Sequence, residues 1–220
     1  MVTMLTDDRS TLVTDTWVKA TWEEFLVASE HSELEKTRCY YDSGWMRIET
    51  MGVGLGHSQD NSLISQVVSL YAIVNNLRIK SFTNGSFNRE GEKECQPDMA
   101  FYIGDDIPNP MPPKTTAVGN MDIYGVPTLM IEVASTSLND DLGRKRLLYE
   151  RLNVREYWIV DVLGAEMLAF GMSVQGSRQI RVSEVLPGLA MSTIEEALRR
   201  SQTEDDTEIS QWLMQVLRQG

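Results

Sequence analysis

Leu129-Met130-Ile131-Glu132-Val133-Ala134-Ser135 is an apolar run broken by one carboxylate. With Thr128 in front it is almost continuously hydrophobic, the pattern of a strand covered on both faces. A charge is costly to bury without a partner, so Glu132 reads either as half of a structural ion pair or as part of a site, and the second reading explains more. Upstream, Gln96-Pro97-Asp98-Met99-Ala100-Phe101-Tyr102-Ile103 repeats the arrangement: a strand with an acid at its start. Pro-Asp alone is a common turn pair. Two strand-borne acids brought side by side would instead make a hard-oxygen site suited to Mg²⁺.

Downstream, Asp140-Asp141-Leu142-Gly143-Arg144-Lys145-Arg146-Leu147-Leu148-Tyr149 lies in a helix expected from Asn139 to Leu152. Asp141, Lys145 and Tyr149 recur every fourth residue and share one face. A surface pairing of Asp141 with Lys145 is the plainer reading. A strand–turn–helix connection can also turn that face back towards Glu132, placing a lysine beside the two acids. Arg144, Arg151 and Arg155 fall at spacings of seven and four, a solvated face or a short basic ridge for phosphates.

The rest of the chain alternates helices and strands. Thr21 with Glu24 forms a capping box at the start of a short helix, and Arg38–Tyr41 and Trp45–Glu49 read as a hairpin about Asp42-Ser43-Gly44. A helix from His57 to Asn76 shows Leu63, Ile64, Val67, Leu70, Tyr71, Val74 and Leu77 on one face. Short strand or turn pieces follow at 78–81 and 82–88. Gly104 to Pro127 holds five of the seven prolines and reads as a long loop able to close over a substrate or to contact a groove. Glu156–Val160, Glu166–Phe170 and Gln179–Ser183 read as further strands, with a turn at Pro187-Gly188 and a helix from Ser192 to about Arg200. Ile209, Trp212, Leu213, Val216 and Leu217 mark a last amphipathic helix, packed on its own core or offered to a second copy. Three segments result: 1–19 flexible, 20–201 a domain, and 202–220 a C-terminal extension. The fold class is α/β (α+β), a mixed sheet flanked by helices.

The chain has 220 residues and a formal net charge of −12, which argues against nucleic-acid binding by bulk electrostatics and leaves room for a local groove. No leader-like start and no apolar stretch of membrane-spanning length is evident. Cys39 and Cys95 have no metal or redox spacing and read as free thiols of a cytoplasmic protein. Gly52, Gly54 and Gly56 precede a helix, but His57 stands where a dinucleotide fingerprint needs glycine, and no acid follows at the required distance. His57 instead reads as a helix-terminus residue or as a group reaching phosphate or water.

Taken together, Pro97-Asp98, Glu132-Val133-Ala134-Ser135, Asp141 to Lys145, Tyr149 and Glu156-Tyr157-Trp158-Ile159-Val160-Asp161 resemble the Uma family of restriction-endonuclease-like proteins, within the PD-(D/E)xK nuclease-like superfamily. Gly56-His57 and Leu186-Pro187-Gly188 also fit, and the resemblance runs from about Trp22 to about Leu198. It implies a restriction-endonuclease-like core with a central mixed sheet and Asp98 and Glu132 as metal ligands. Two positions depart from the pattern: Ala134 stands where the superfamily places a lysine, and Tyr40 where the family often shows a glutamate. The expectation is therefore a Mg²⁺-dependent DNA endonuclease, with Mn²⁺ as a substitute ion. Asp98, Glu132 and the Val133 carbonyl would hold the metal, Lys145 would orient and help deprotonate the attacking water, and His57, Ser135, Asp141 and Tyr149 would give support. A homodimer is the default assembly. The rival expectation is a catalytically silent protein on the same fold, binding nucleic acid or serving as an oligomeric scaffold.

Overall fold

The computed structural model describes residues 13–30, 37–50 and 54–218. Two six-stranded mixed sheets are present, where the sequence suggested one. The first carries β1 (Trp17–Lys19), β2 (Thr37–Asp42), β3 (Trp45–Thr50), β5 (Ser86–Arg89), β6 (Lys93–Cys95) and β8 (Val118–Asn120) in the order β1-β3-β2-β6-β5-β8. The second carries β4 (Ile79–Thr83), β7 (Met99–Ile103), β9 (Leu129–Ala134), β10 (Glu156–Asp161), β11 (Glu166–Ser173) and β12 (Gly176–Ile180) in the order β12-β11-β10-β9-β7-β4. Among the described residues only β9–β10 and β5–β8 run parallel.

The helices are α1 (Trp22–Ser29), α2 (Leu55–Val74), α3 (Met121–Tyr124), α4 (Leu138–Asp140), α5 (Arg146–Arg151), α6 (Met191–Arg200) and α7 (Asp206–Val216). The capping box of α1 forms as expected, with Thr21 Oγ1 accepting from the Glu24 amide at 3.2 Å and Glu24 accepting from the Thr21 amide at 2.8 Å. All six residues of β9 are buried, as its apolar run requires. Alternation then sorts the second sheet. Met99, Phe101, Ile131, Val133, Trp158 and Val160 pack under α2, α6 and α7. Ala100, Tyr102, Met130, Ala134, Tyr157 and Ile159 face the opposite way, into a core shared with Tyr40 and Phe87 of the first sheet and Leu148 and Tyr149 of α5. Glu132, between Met130 and Ala134 in the period-two series, therefore points between the two sheets.

Several boundaries differ from the sequence reading. Trp17–Lys19, placed in a flexible segment, pairs with β3 at the edge of the first sheet. Residues 1–12 of that segment lie outside the described residues, as does Gly52. The 104–127 stretch is not one open loop: it contains a 3-10 turn at 104–106, β8 and α3, and β8 is pinned to β5. The 139–152 helix is interrupted by a π-helical turn at 141–145, with Gly143 at φ −97°, ψ −105°. The last strand is Gly176–Ile180 instead of 179–183, because Ser173 and Gly176 close a tighter turn. The apolar face of α7 is spent on the chain's own core: Ile209 and Leu213 are fully buried against α2 and α6, which removes that face as a source of dimer surface.

Glu94 on β6 gives the fold a pH signature. Burial lifts its carboxyl to about 7, against a partial lowering by the Asn88 side chain. The folded chain thus holds this proton more tightly than the unfolded one. The stability contribution is complete below about 4.5 and is lost as pH rises through about 7. Glu94→Gln is expected to raise stability at pH 8 by roughly 1–3 kcal/mol and to flatten the decline in Tm between pH 5 and 8. Equal Tm values for both proteins at pH 8 would contradict this.

Candidate active site

Two of the five chain links between the sheets meet at one point. β4 of the second sheet leads through Asn84 to β5 of the first, and β6 of the first leads through Gln96-Pro97-Asp98 to β7 of the second. The Asn84 amide donates to the Asp98 carbonyl at 3.0 Å. Pro97, lacking an N–H, ends pairing before Asp98, so the Asp98 side chain is delivered into the seam rather than onto a ladder.

The two strand acids meet there, each 1% exposed. Asp98 accepts from the Val133 amide at 2.8 Å, lies 3.2 Å from His57 Nε2 and contacts the Arg38 guanidinium. Glu132 Oε1 accepts from the Tyr149 hydroxyl at 2.6 Å and the Tyr40 hydroxyl at 3.1 Å, while Arg38 stands 3.9 Å from its other oxygen. Arg38 thus spans both carboxylates, and its second support is Asn84 Oδ1 at 2.8 Å. Burial raises the Asp98 carboxyl, but His57 and Arg38 outweigh it and hold it at about 2. For Glu132 burial prevails: aided by Asp141 and Asp98 and opposed by Lys145 and Arg38, it lifts the carboxyl to about 8.

Ala134 lies on the face of Glu132 and is buried, so no lysine reaches the acids from that strand. Lys145 does so from the π-helical turn. Its Nζ lies 2.7 Å from Glu49, 2.9 Å from Asp141 and 3.9 Å from Glu132, and 4.5 Å from the Tyr40 ring centre. Burial opposes this charge, but Glu132, Asp141 and Glu49 raise the Lys145 pKa well above the ordinary range. Asp141 is fixed in turn by the Ser137 hydroxyl at 2.6 Å. A Glu49–Arg47–Asp140 chain, at 3.2 Å for each step, continues to the Trp17 indole, which donates to Asp140 at 2.7 Å. The face formed by Asp141, Lys145 and Tyr149 therefore does return to Glu132.

A pocket of about 220 Å³ opens onto this centre. Its lining includes Arg38, Glu49, His57, Asn61, Asn84, Val133 and Ser135, whereas Asp98, Glu132 and Lys145 lie behind that surface. The three arginines considered as a ridge are separated: Arg144 stacks on Trp45 at 4.1 Å, Arg151 pairs with Asp42, and Arg155 lies 3.4 Å from Asp106. Arg38, Glu49, Asn84 and Tyr40 escaped the sequence reading as site groups. Arg38 and Glu49 sit in alternating strands where charged residues ordinarily face water, and only the second sheet closing over them reveals their burial. Glu156, a buried acid on the next strand, is a contrast. It faces the α2 side and is satisfied by Trp158 Nε1, Ser183 Oγ and the amides of Glu184 and Val185, so it needs no further partner.

Among the described residues no three His, Cys, Asp or Glu side chains are arranged as a metal cage. This does not disqualify Mg²⁺, which is commonly held by one or two carboxylates with waters and substrate phosphates completing its shell. The donor chemistry fits such an ion: two carboxylates within reach of a single guanidinium form a locus that already stabilises positive charge. Among the described residues no helix is long and apolar enough to cross a membrane.

Comparison with known proteins agrees with this architecture. No curated protein matches the chain. Among solved structures it is similar to "a putative nuclease belonging to DUF820" from Anabaena variabilis, with a TM-score of 0.57 and 17% identity over 81% of this chain and 99% of that one. The likeness extends to the fold. The Uma2 family model, described as "Putative restriction endonuclease", matches residues 22–208. That span takes in both seam acids, the turn that returns Lys145 and every strand except the edge strand β1, and the chain belongs to the Uma2 family.

Proposed function

We propose that the chain is a divalent-cation-dependent endonuclease that hydrolyses DNA phosphodiester bonds at the seam between its sheets. The observation that carries this reading is the meeting of Asp98 and Glu132, each 1% exposed, from two different chain segments around one positive charge, the Arg38 guanidinium. Asp98, Glu132 and the Val133 carbonyl would hold Mg²⁺, or Mn²⁺ in its place. The bound ion would supply Lewis-acid polarisation and a water of lowered pKa.

The chain's own groups do the remainder. The Val133 amide and His57 orient Asp98, and Tyr149 and Tyr40 orient Glu132 by donating to it. Lys145 stays protonated, so it serves as a fixed positive charge and not as a base. It acts on the pocket through Glu49, whose carboxylate it holds at 2.7 Å at the pocket wall. Glu49 and His57 are the groups placed to orient a water there, with Ser135 lining the approach. Asp141 holds Lys145. A homodimer would give the two cuts that duplex cleavage needs.

The wild-type protein is expected to convert supercoiled plasmid to nicked and linear forms with Mg²⁺ or Mn²⁺, to stop on chelation, and to lose the activity in Asp98→Asn. Absence of cleavage by wild type on plasmid, linear duplex and single-stranded DNA with both ions would overturn the proposal. It would leave the reading of a silent nuclease fold, which the closure of the acids behind Arg38 favours.

A further inference from the structure

Arg38 has an arrangement that the proposed chemistry does not use. It is 7% exposed, yet it bridges the pocket and both acids: its side chain lines the pocket, and its guanidinium contacts Asp98 and approaches Glu132 to 3.9 Å on the far side. Its Nε is buried with no hydrogen-bond partner, although a well-seated arginine normally satisfies its whole fork. Asn84 Oδ1, at the link between the sheets, supplies the one neutral contact at its head. The guanidinium is therefore bound by charge but imperfectly by geometry.

From this we infer that Arg38 is a built-in competitor for the cation position: it pairs with Asp98 and covers Glu132 while no ion is bound, and a divalent cation entering from the pocket must displace it. The inference rests on the metal-dependent reading above. A cation and the guanidinium cannot share the same carboxylate oxygens. The ion's apparent affinity is then its intrinsic affinity reduced by the fraction of molecules in which Arg38 has withdrawn. The displaced guanidinium would emerge into the 220 Å³ pocket, where a planar fork suits a phosphodiester oxygen pair. Cation and anionic substrate would accordingly favour each other's binding.

The test uses the full chain and reads binding and stability, not turnover. Mn²⁺ affinity is measured by calorimetry and by the Mn²⁺-induced rise in Tm for wild type, Arg38→Gln and Arg38→Lys. Arg38→Gln is expected to have a lower Tm in chelator, a larger Mn²⁺-induced rise, and a Kd tighter by about tenfold. Arg38→Lys reaches fewer oxygens and is expected to fall between the two, which keeps the test available should the glutamine variant not fold without metal. Addition of Glu132→Gln should abolish the gain. Equal or weaker Mn²⁺ binding by folded Arg38 variants overturns the inference and leaves the metal site standing. No Mn²⁺ binding by any of the proteins overturns the metal reading and the inference together.

Discussion

Lys145→Ala is expected to lose about 3–5 kcal/mol of folding stability, the range seen when one partner of a buried ion pair is removed. The lysine is 1% exposed and neutralises Asp141, Glu49 and, at longer range, Glu132. Its removal takes the ion-pair partner from Asp141 and leaves Glu49 and Glu132 with only Arg47 at 3.2 Å and Arg38 at 3.9 Å to offset them. It also leaves a cavity against the Tyr40 ring. Urea denaturation monitored by circular dichroism reads the loss directly. Lys145→Met separates the two contributions, because it restores most of the volume without the charge. If Met recovers the stability, packing and not charge holds the lysine in place. A loss under about 1 kcal/mol in both variants would mean that Nζ is solvated and that the network is a surface one.

Glu132→Gln is expected to give the opposite profile: little change in stability, with DNA cleavage reduced at least 10²-fold, the scale set by loss of one preorganised electrostatic contact. Burial lifts the Glu132 carboxyl to about 8, so near neutral pH the folded apo protein already carries it largely protonated. The Tyr149 and Tyr40 hydroxyls donate to Oε1, and the oxygen of a glutamine accepts both. The amide cannot become the anion that a divalent ion requires. Preserved cleavage in this variant would remove Glu132 from the chemistry. A large drop in Tm with preserved metal binding would make it a structural acid of the same kind as Glu156.

Legibility in the sequence followed which forces act along the chain and which across it. β9 was readable because burial on both faces imposes an apolar run, and Glu132 stood out against it. The Asp141–Lys145–Tyr149 face was readable from four-residue spacing, although the π-helical turn at 141–145 that aims Lys145 was not. The division into two sheets was hidden, because β4, β5, β6 and β8 are three to five residues each and, the local β5–β6 hairpin apart, pair with strands distant in sequence. Arg38 was hidden for the same reason: position 38 is one charged residue in a hairpin strand until Asp98 arrives beside it from another sheet. Trp17 showed no signal at all, since its partner Asp140 lies 123 residues away.

The seam itself has a kinetic consequence. Arg38 meets Asp98 across 60 residues, Tyr40 meets Glu132 across 92, and Trp17 meets Asp140 across 123. Contacts of such separation close loops whose entropy must be lost before the contacts return anything. Each sheet can acquire its hairpins and local helices without them. The ion-pair network that joins the sheets is thus among the last structure to form in refolding and the first to open in partial unfolding. Amide hydrogens at Asn84 and Val133 would exchange ahead of those in the middle of β10, and competence of the centre would be lost before the helical signal moves.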